Sequence, residues 1–357
     1  MPIKWKKVWI SDENYESAGV FDVDNDGVLD IVSGGFWYKG PDFRKKFAVG
    51  EVKPAGEYFD DFSTIAMDVN GDGYLDFVTG GWWGNTIRWR ENPRGENKPW
   101  PEHVIAEVGN VETTRAFDID GCGRLEILPN TPGAKEVAYY KLENGKFRKV
   151  VVYKADNFGQ GHGIGCGDVA GNGRMDIVLT HGWLEAPANP ETGKWIYHPD
   201  FMDAPWGWGG SDPMLVADVN GDGKNEIISG AAHNYGLWWA ERGNENKWIY
   251  HPIDPFCSQY HDMHWADIDN DGKPELVTGK RHRAHCGNDP GEWDDVGIYY
   301  FKWNGEGFSK QVIDYGPLGE CHGCGIHFAL ADLRGTGRLD LVAPSKGGLF
   351  IYYNEGS

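Results

Sequence analysis

The sequence predicts an all-β fold, a single seven-bladed β-propeller over residues 1–357 whose last blade is closed by the N-terminal strand. Three observations predict it. One nonamer recurs seven times, the segments between copies alternate apolar and polar residues at strand spacing, and the first strand matches a pattern that the last repeat lacks.

The nonamers are DVDNDGVLD at 22, DVNGDGYLD at 68, DIDGCGRLE at 118, DVAGNGRMD at 168, DVNGDGKNE at 218, DIDNDGKPE at 267 and DLRGTGRLD at 332, in steps of 46, 50, 50, 50, 49 and 65 residues. Short apolar stretches flank each copy (GVF before and DIVSGG after the first). Segments rich in Trp, Tyr and Val, such as NTIRWREN, follow and read as strands bounded by turn residues. Four short strands per repeat, with no helical periodicity, is blade-like. The chain ends at LFIYYNEGS, a third strand, whereas KWKKVWIS near residue 4 has the look of a fourth. Blade seven is therefore expected from residues 317–357 plus 3–11, which removes an exposed sheet edge. The 65-residue step holds an insertion in blade six, RHRAHCGNDPGEWDD. Long loops in compact domains usually carry function.

A net charge of −20 argues against nucleic acid or an anionic membrane surface as partner. No apolar run is long enough to span a bilayer. The N-terminal residues hold no signal-peptide core, and six cysteines make no disulfide framework in a chain of this length. The expectation is a cytoplasmic protein, or a secreted one if an export signal has been removed.

The nonamers resemble the FG-GAP (VCBS) repeats of integrin-type propellers, where such turns bind calcium. Carried over residue by residue, the resemblance implies Ca2+ in blade one (Asp22, Asp24, Asp26, Asp30) and blade two (Asp68, Asn70, Asp72, Asp76). It implies the same in blade five (Asp218, Asn220, Asp222, Glu226) and blade six (Asp267, Asp269, Asp271, Glu275). Cys122, Ala170, Arg334 and Thr336 break the pattern in blades three, four and seven. Alternate acids in a tight turn suit a hard cation that takes six to eight oxygens.

A residue six positions before each nonamer sits at the far end of the innermost strand, about 20 Å from the turn. That position reads Glu16, Phe62, Glu112, His162, Asp212, His261 and Ile326. Five of seven are Asp, Glu or His, types that together are fewer than one residue in five. Consecutive blades contribute Glu112, His162, Asp212 and His261, a set that suits zinc (Zn2+) or another divalent metal at the channel mouth.

The second loop of each blade opens on the same mouth and carries His181, His233, Lys280, Arg281, His282 and His285, with Trp37, Trp82, Trp83 and Trp183. Arg115 and Tyr260 come from segments leading into inner strands. Loop tryptophans offer platforms for sugar faces. Cys321 and Cys324 have Cys-x2-Cys spacing, but no second pair lies nearby.

A metal-capable, aromatic, partly cationic cleft suits proton abstraction beside a carbonyl. His181, His233 and Tyr260 are candidate bases. Lys280, Arg281, His285 and Arg115 are candidates for binding substrate oxygens or protonating the leaving group. The strings GKRHRAHCGNDPGEWDDVGIYYF and DFSTI…GGWWGNT resemble the propeller domain of fungal aldos-2-ulose dehydratase and its bacterial relatives. That resemblance implies elimination on a keto-sugar, and seven-bladed polysaccharide lyases share the chemistry. The expected ligand is a small sugar or oligosaccharide, keto-sugar or uronide. The competing readings are a non-catalytic carbohydrate- or protein-binding propeller and a metal-dependent hydrolase. The residues do not specify the oligomeric state.

Overall fold

The computed structural model describes residues 2–243 and 247–357. Seven four-stranded antiparallel sheets form among these residues, one per nonamer repeat. In blade one the strands are Gly19–Phe21, Asp30–Ser33, Phe36–Lys39 and Lys45–Ala48. The other blades repeat this order, innermost strand first. The one extra element is a two-stranded hairpin, Pro54–Ala55 with Tyr58–Phe59, which leads into blade two. No helix of the described residues is long and apolar enough to cross a membrane.

Closure follows the expected scheme. Trp5–Ser11 is the outermost strand of blade seven and runs antiparallel to Gly348–Asn354, from Trp5 opposite Asn354 to Ser11 opposite Leu349. Its mixed exposure is that of an outer strand. By contrast, second strands such as Asp30–Ser33 are buried throughout.

The core lies between blades. Leu128 and Tyr139 of blade three pack against Ile177 and Leu184 of blade four. Ile31 and Tyr38 of blade one pack against Val342 and Ile351 of blade seven, which completes the ring. This packing also places two tryptophans expected at the mouth. Trp37 and Trp183 are buried on the blade faces, stacked on Phe47 and His198 with ring centres 4.4 and 4.2 Å apart. Alternation along the strand turns them inward.

The nonamers join first to second strands. Their leading aspartate caps the turn: Asp22 accepts the backbone N–H groups of Asp26 and Gly27, and Asp218 those of Asp222 and Gly223. Their closing acid accepts a backbone N–H from within its own turn, as Asp30 does from Val23. The ladder then reveals a residue the nonamer does not contain. Opposite the closing acid, on the third strand, stand Lys39, Glu91, Lys141, Glu185, Glu241 and Lys302 in blades one to six.

Where that residue is lysine, its ammonium sits among the turn's carboxylates. Lys39 bonds Asp24 and Asp26, Lys141 bonds Asp120, and Lys302 bonds Asp269 and Asp271 with Glu275 at 3.3 Å. In blades one and six a lysine ammonium thus stands among carboxylates that also lie close enough together to hold a metal ion, Asp22, Asp24 and Asp30 in one and Asp267, Asp269 and Asp271 in the other. Where the residue is glutamate, it pairs instead with an outer-strand histidine: Glu91 with His103, Glu185 with His198 and Glu241 with His251. In blade seven Arg334 bonds Asp340.

Candidate functional site

The GHG of residues 161–163 sets the first element of the mouth. Both glycines have positive φ, and a Cβ on Gly163 would meet the backbone of Gly210 at 3.0 Å. Blade four can therefore press close to blade five, with the Gly210 N–H donating to the His162 carbonyl at 2.7 Å. Around the ring, the Asp212 N–H donates to the His261 carbonyl and the Ile326 N–H to that of Glu16.

Three buried imidazoles meet here: His162 from blade four, His261 from blade six, and His233 from the second loop of blade five. Ring centres are 4.6, 5.4 and 5.0 Å apart, and every pair of rings is nearly perpendicular. Each Nδ1 has a partner. His162 bonds the Gly210 carbonyl at 2.8 Å, His261 the Gln259 carbonyl at 3.2 Å, and His233 the Asp289 carboxylate at 2.7 Å. Each Nε2 is buried without a hydrogen bond. An Nδ1–H donated to oxygen leaves the lone pair on Nε2 in neutral His233 and His261, whereas His162, beside Glu112, offers its Nε2 lone pair once it gives up a proton.

The carboxylates of the predicted quartet stand around this trio. Glu112 Oε1 lies 3.2 Å from His162 Nε2, but off the line of a ring N–H, and 3.3 Å from Arg281 Nη1. Asp212 turns Oδ1 to the Ile164 N–H, with Oδ2 3.7 Å from His162 Nδ1. Burial works to discharge His162, but Glu112 and then Asp212 outweigh it and hold its pKa at about 9. Burial pushes His233 and His261 well below the usual histidine range. Burial also raises Asp212 to about 7, despite His162 beside it.

His285, on the blade-six insertion, stacks on His233 and donates its Nδ1–H to the second oxygen of Asp289 at 2.9 Å. Trp208 lies parallel to both rings. A pocket of about 170 Å3 opens beside them, lined by Tyr58, Phe62, Trp82, Trp83, Glu112, Arg281, Ala284 and His285. Asp60 fixes its tryptophan loop by accepting the N–H groups of Trp83 and Gly84. A larger cavity, about 510 Å3 between blades two and three, lies among the repeat turns and holds none of these groups.

Other expected residues fall elsewhere. Tyr260 is buried in the core between blades five and six, its hydroxyl donated to Asp254 at 2.7 Å, and burial drives its pKa well above the usual tyrosine value. It is not placed to act as a base at the mouth. Lys280 faces a groove on the flank of the same two blades. Arg281 does reach the mouth, but it is fully buried and paired with Glu16 at 2.9 Å. Arg115 lies inside the channel, bonded to the carbonyls of Asp212 and Ile326 and, at 3.0 Å, to Asp262. His181 joins neither the trio nor the aromatic pocket, and its carbonyl accepts the Phe201 N–H. Cys321 and Cys324 belong to no metal-capable group among the described residues. Asp289, which accepts from both His233 and His285, is a side chain of this cluster that the sequence did not single out. The one available signal was its place in a histidine-bearing insertion.

Residues 68–128 and 218–278 match the FG-GAP-like repeat family. No curated protein matches the chain in sequence. Among solved structures, an Agrocybe aegerita lectin described as recognising non-reducing terminal N-acetylglucosamine is similar at 18% identity and a TM-score of 0.51, over 97% of this chain and 91% of that one. The rhamnogalacturonan lyase YesW is similar at 15% identity and a TM-score of 0.52, over 99% and 73%. The WD40 β-propeller domain of Doa1 is similar at 12% identity and a TM-score of 0.58, over 99% and 98%. At such identities the likeness is one of fold.

Proposed function

We propose that this seven-bladed propeller with FG-GAP-like repeats is a carbohydrate-active lyase, performing β-elimination on a sugar carbonyl compound at the channel mouth. The observation that carries the reading is the convergence of three Nε2 atoms, that of His162 facing Glu112 at 3.2 Å, whose rings are each held from behind through Nδ1. Three imidazoles whose Nε2 atoms converge suit a divalent ion such as zinc, and oriented ligands of this kind are what catalytic metal sites use. His162, His233 and His261 would hold it. When bound it supplies a Lewis acid for the substrate carbonyl.

The remaining chemistry falls to the chain. Tyr58 and Trp83, packed on buried Phe62, offer aromatic surface to a sugar ring. His285 lines the pocket with Nδ1 committed to Asp289, which leaves Nε2 as its basic nitrogen, and Asp289 stabilises the imidazolium formed when His285 takes the proton next to the carbonyl. The same imidazolium can return that proton to the departing oxygen, so water or an alcohol leaves. Glu112 is held as a carboxylate against the cost of burial, and the Arg281 guanidinium at 3.3 Å favours that form even with His162 neutral. It borders the pocket as an acceptor for a sugar hydroxyl. Elemental analysis of purified protein, followed by ultraviolet screening of keto-sugars and uronides for an enone or unsaturated product, tests the reading. Metal-free protein with no product from any of them would favour a binding propeller.

Calcium belongs to a subset of the repeat turns in this reading. Blades two and five place Glu91 and Glu241 beside the acidic set, whereas Lys39 and Lys302 each offset one of the negative charges in blades one and six. An ammonium already in place lowers the charge that would attract a divalent ion and competes with it for the same oxygens.

A further inference from the structure

The flank of blades five and six holds a groove of about 480 Å3 that shares no lining residue with the mouth pocket. It runs between the outer strand of blade five, Trp248–Ser258, and that of blade six, Phe308–Gly316. Phe256 is 85% exposed on one wall and Tyr315 57% exposed on the other. Both side chains leave most of their surface uncovered by the chain, Tyr315 with its ring centre 6.4 Å from that of Tyr299, although each could cover a large apolar area.

The polar groups in the groove narrow the occupant. Asp294 and Asp295 stand at one end, and Asp294 accepts the Tyr235 hydroxyl through one oxygen, leaving the other free. Lys280 forms the floor. It is buried, it donates to Ser258 Oγ at 3.1 Å and to the Gly291 carbonyl, and no carboxylate of the described residues pairs with it. An ammonium has three donors, so one remains. Lys310 is committed to Asp254 at 2.5 Å and lies over the Tyr299 ring. Apolar faces on the walls, carboxylate acceptors at one end and a donor on the floor match a molecule with a C–H face and a rim of hydroxyls. The two aspartates disfavour an anion.

We propose that this groove is a second saccharide-binding site, taking a neutral sugar unit with its ring against Phe256 and Tyr315 and its hydroxyls on Asp294 and Asp295. The proposal rests on the carbohydrate reading but not on the metal or on elimination. A chain carrying such a site can retain one part of a saccharide while another part occupies the mouth.

Saturation-transfer difference NMR on the full chain tests it, with glucose, rhamnose and N-acetylglucosamine as neutral probes and galacturonate as the charged one. A Trp83→Ala background weakens the mouth pocket. At least one neutral sugar is expected to receive saturation in that background. The added pair Phe256→Ala and Tyr315→Ala should weaken its binding about tenfold, the worth of two aromatic contacts. Both side chains are exposed, so the fold is spared, and an unchanged melting temperature confirms it. The proposal is overturned if no neutral sugar binds in the Trp83→Ala background, if removing both rings leaves binding unchanged, or if galacturonate binds better than every neutral sugar. Absence of metal or of eliminase activity in the parent chain would sink the mouth reading and leave this result standing.

Discussion

The imidazoles of His233 and His285 lie face to face, 3.7 Å between ring centres and 7° from parallel, and both donate Nδ1–H to the single carboxylate of Asp289. One ring is a proposed metal ligand and the other the proposed base. Their tautomers are thus set by the same residue.

Asp289→Asn should consequently damage two properties together. Loss of a carboxylate behind a ligating histidine typically costs about 10–100-fold in metal affinity. Cobalt titration followed in the visible region should show that loss, and the eliminase rate should decline with it at saturating metal. An Asn variant that binds cobalt like the parent would show that Asp289 does not orient the ligand.

The ligands themselves are tested by the His162→Ala, His261→Ala double variant. It should lose the mouth metal and any elimination activity while keeping its calcium and a cooperative thermal transition. Full activity in this folded variant would end the metal-assisted mechanism.

The lysine and glutamate blades should differ in calcium response. Calorimetric titration is expected to find sites in blades two and five. Asp222→Ala should remove one of them, together with part of the melting-temperature rise that calcium produces by binding only the folded state. Lys302→Met takes the built-in cation away from Asp269, Asp271 and Glu275 and should create a calcium site in blade six. If neither change alters the number of sites, the turns owe nothing to calcium.

Deleting residues 1–11 strips the outer strand from blade seven and bares the edge of Gly348–Asn354. The melting temperature should drop by several degrees, at about 2 °C for each kcal/mol lost, and the exposed edge should promote association. A truncated chain that melts like the intact one would contradict this closure.

Stability should also depend on one buried histidine away from both sites. Burial holds the His322 pKa down at about 4, while its ring meets Ser345 and the Ala343 carbonyl. A histidine whose folded pKa is depressed binds fewer protons folded than unfolded. Its stabilising effect is therefore present above the unfolded pKa, about 6.5, and is lost as pH falls toward 4, at up to about 1.4 kcal/mol per pH unit. Carboxylates with raised pKa, such as Asp30 and Asp76 at about 6, act in the opposite sense. The measurement is accordingly the difference between the parent and His322→Gln in urea midpoints at pH 7 and pH 5. That difference should shift in favour of the variant at pH 5.

Much of the fold was legible because the nonamer recurs at blade spacing and the first strand completes the last repeat. The mouth was legible in part. His162 and His261 share a register with their counterparts in other blades, so comparing repeats exposes them. His233 comes from a different loop, and no single register contains all three ligands. Strand alternation explains two misplacements. Tyr260 precedes His261 and Lys280 precedes Arg281, so neighbours expected on one surface project to opposite ones. The lysines that close the turns of blades one and six lie on the third strand, beyond the reach of the motif, and only the sheet register brings them opposite the closing acid.

Arg115 leaves the inner strand of blade three and meets oxygens of Asp212, Asp262 and Ile326 in blades five, six and seven. Asp212 is itself a mouth residue, Asp262 directly follows His261, and Glu112 stands three residues before Arg115. One guanidinium is therefore a cross-brace that ties mouth groups of three blades to one another from within the ring. Loss of that brace would loosen the spacing of those groups without touching any of them directly.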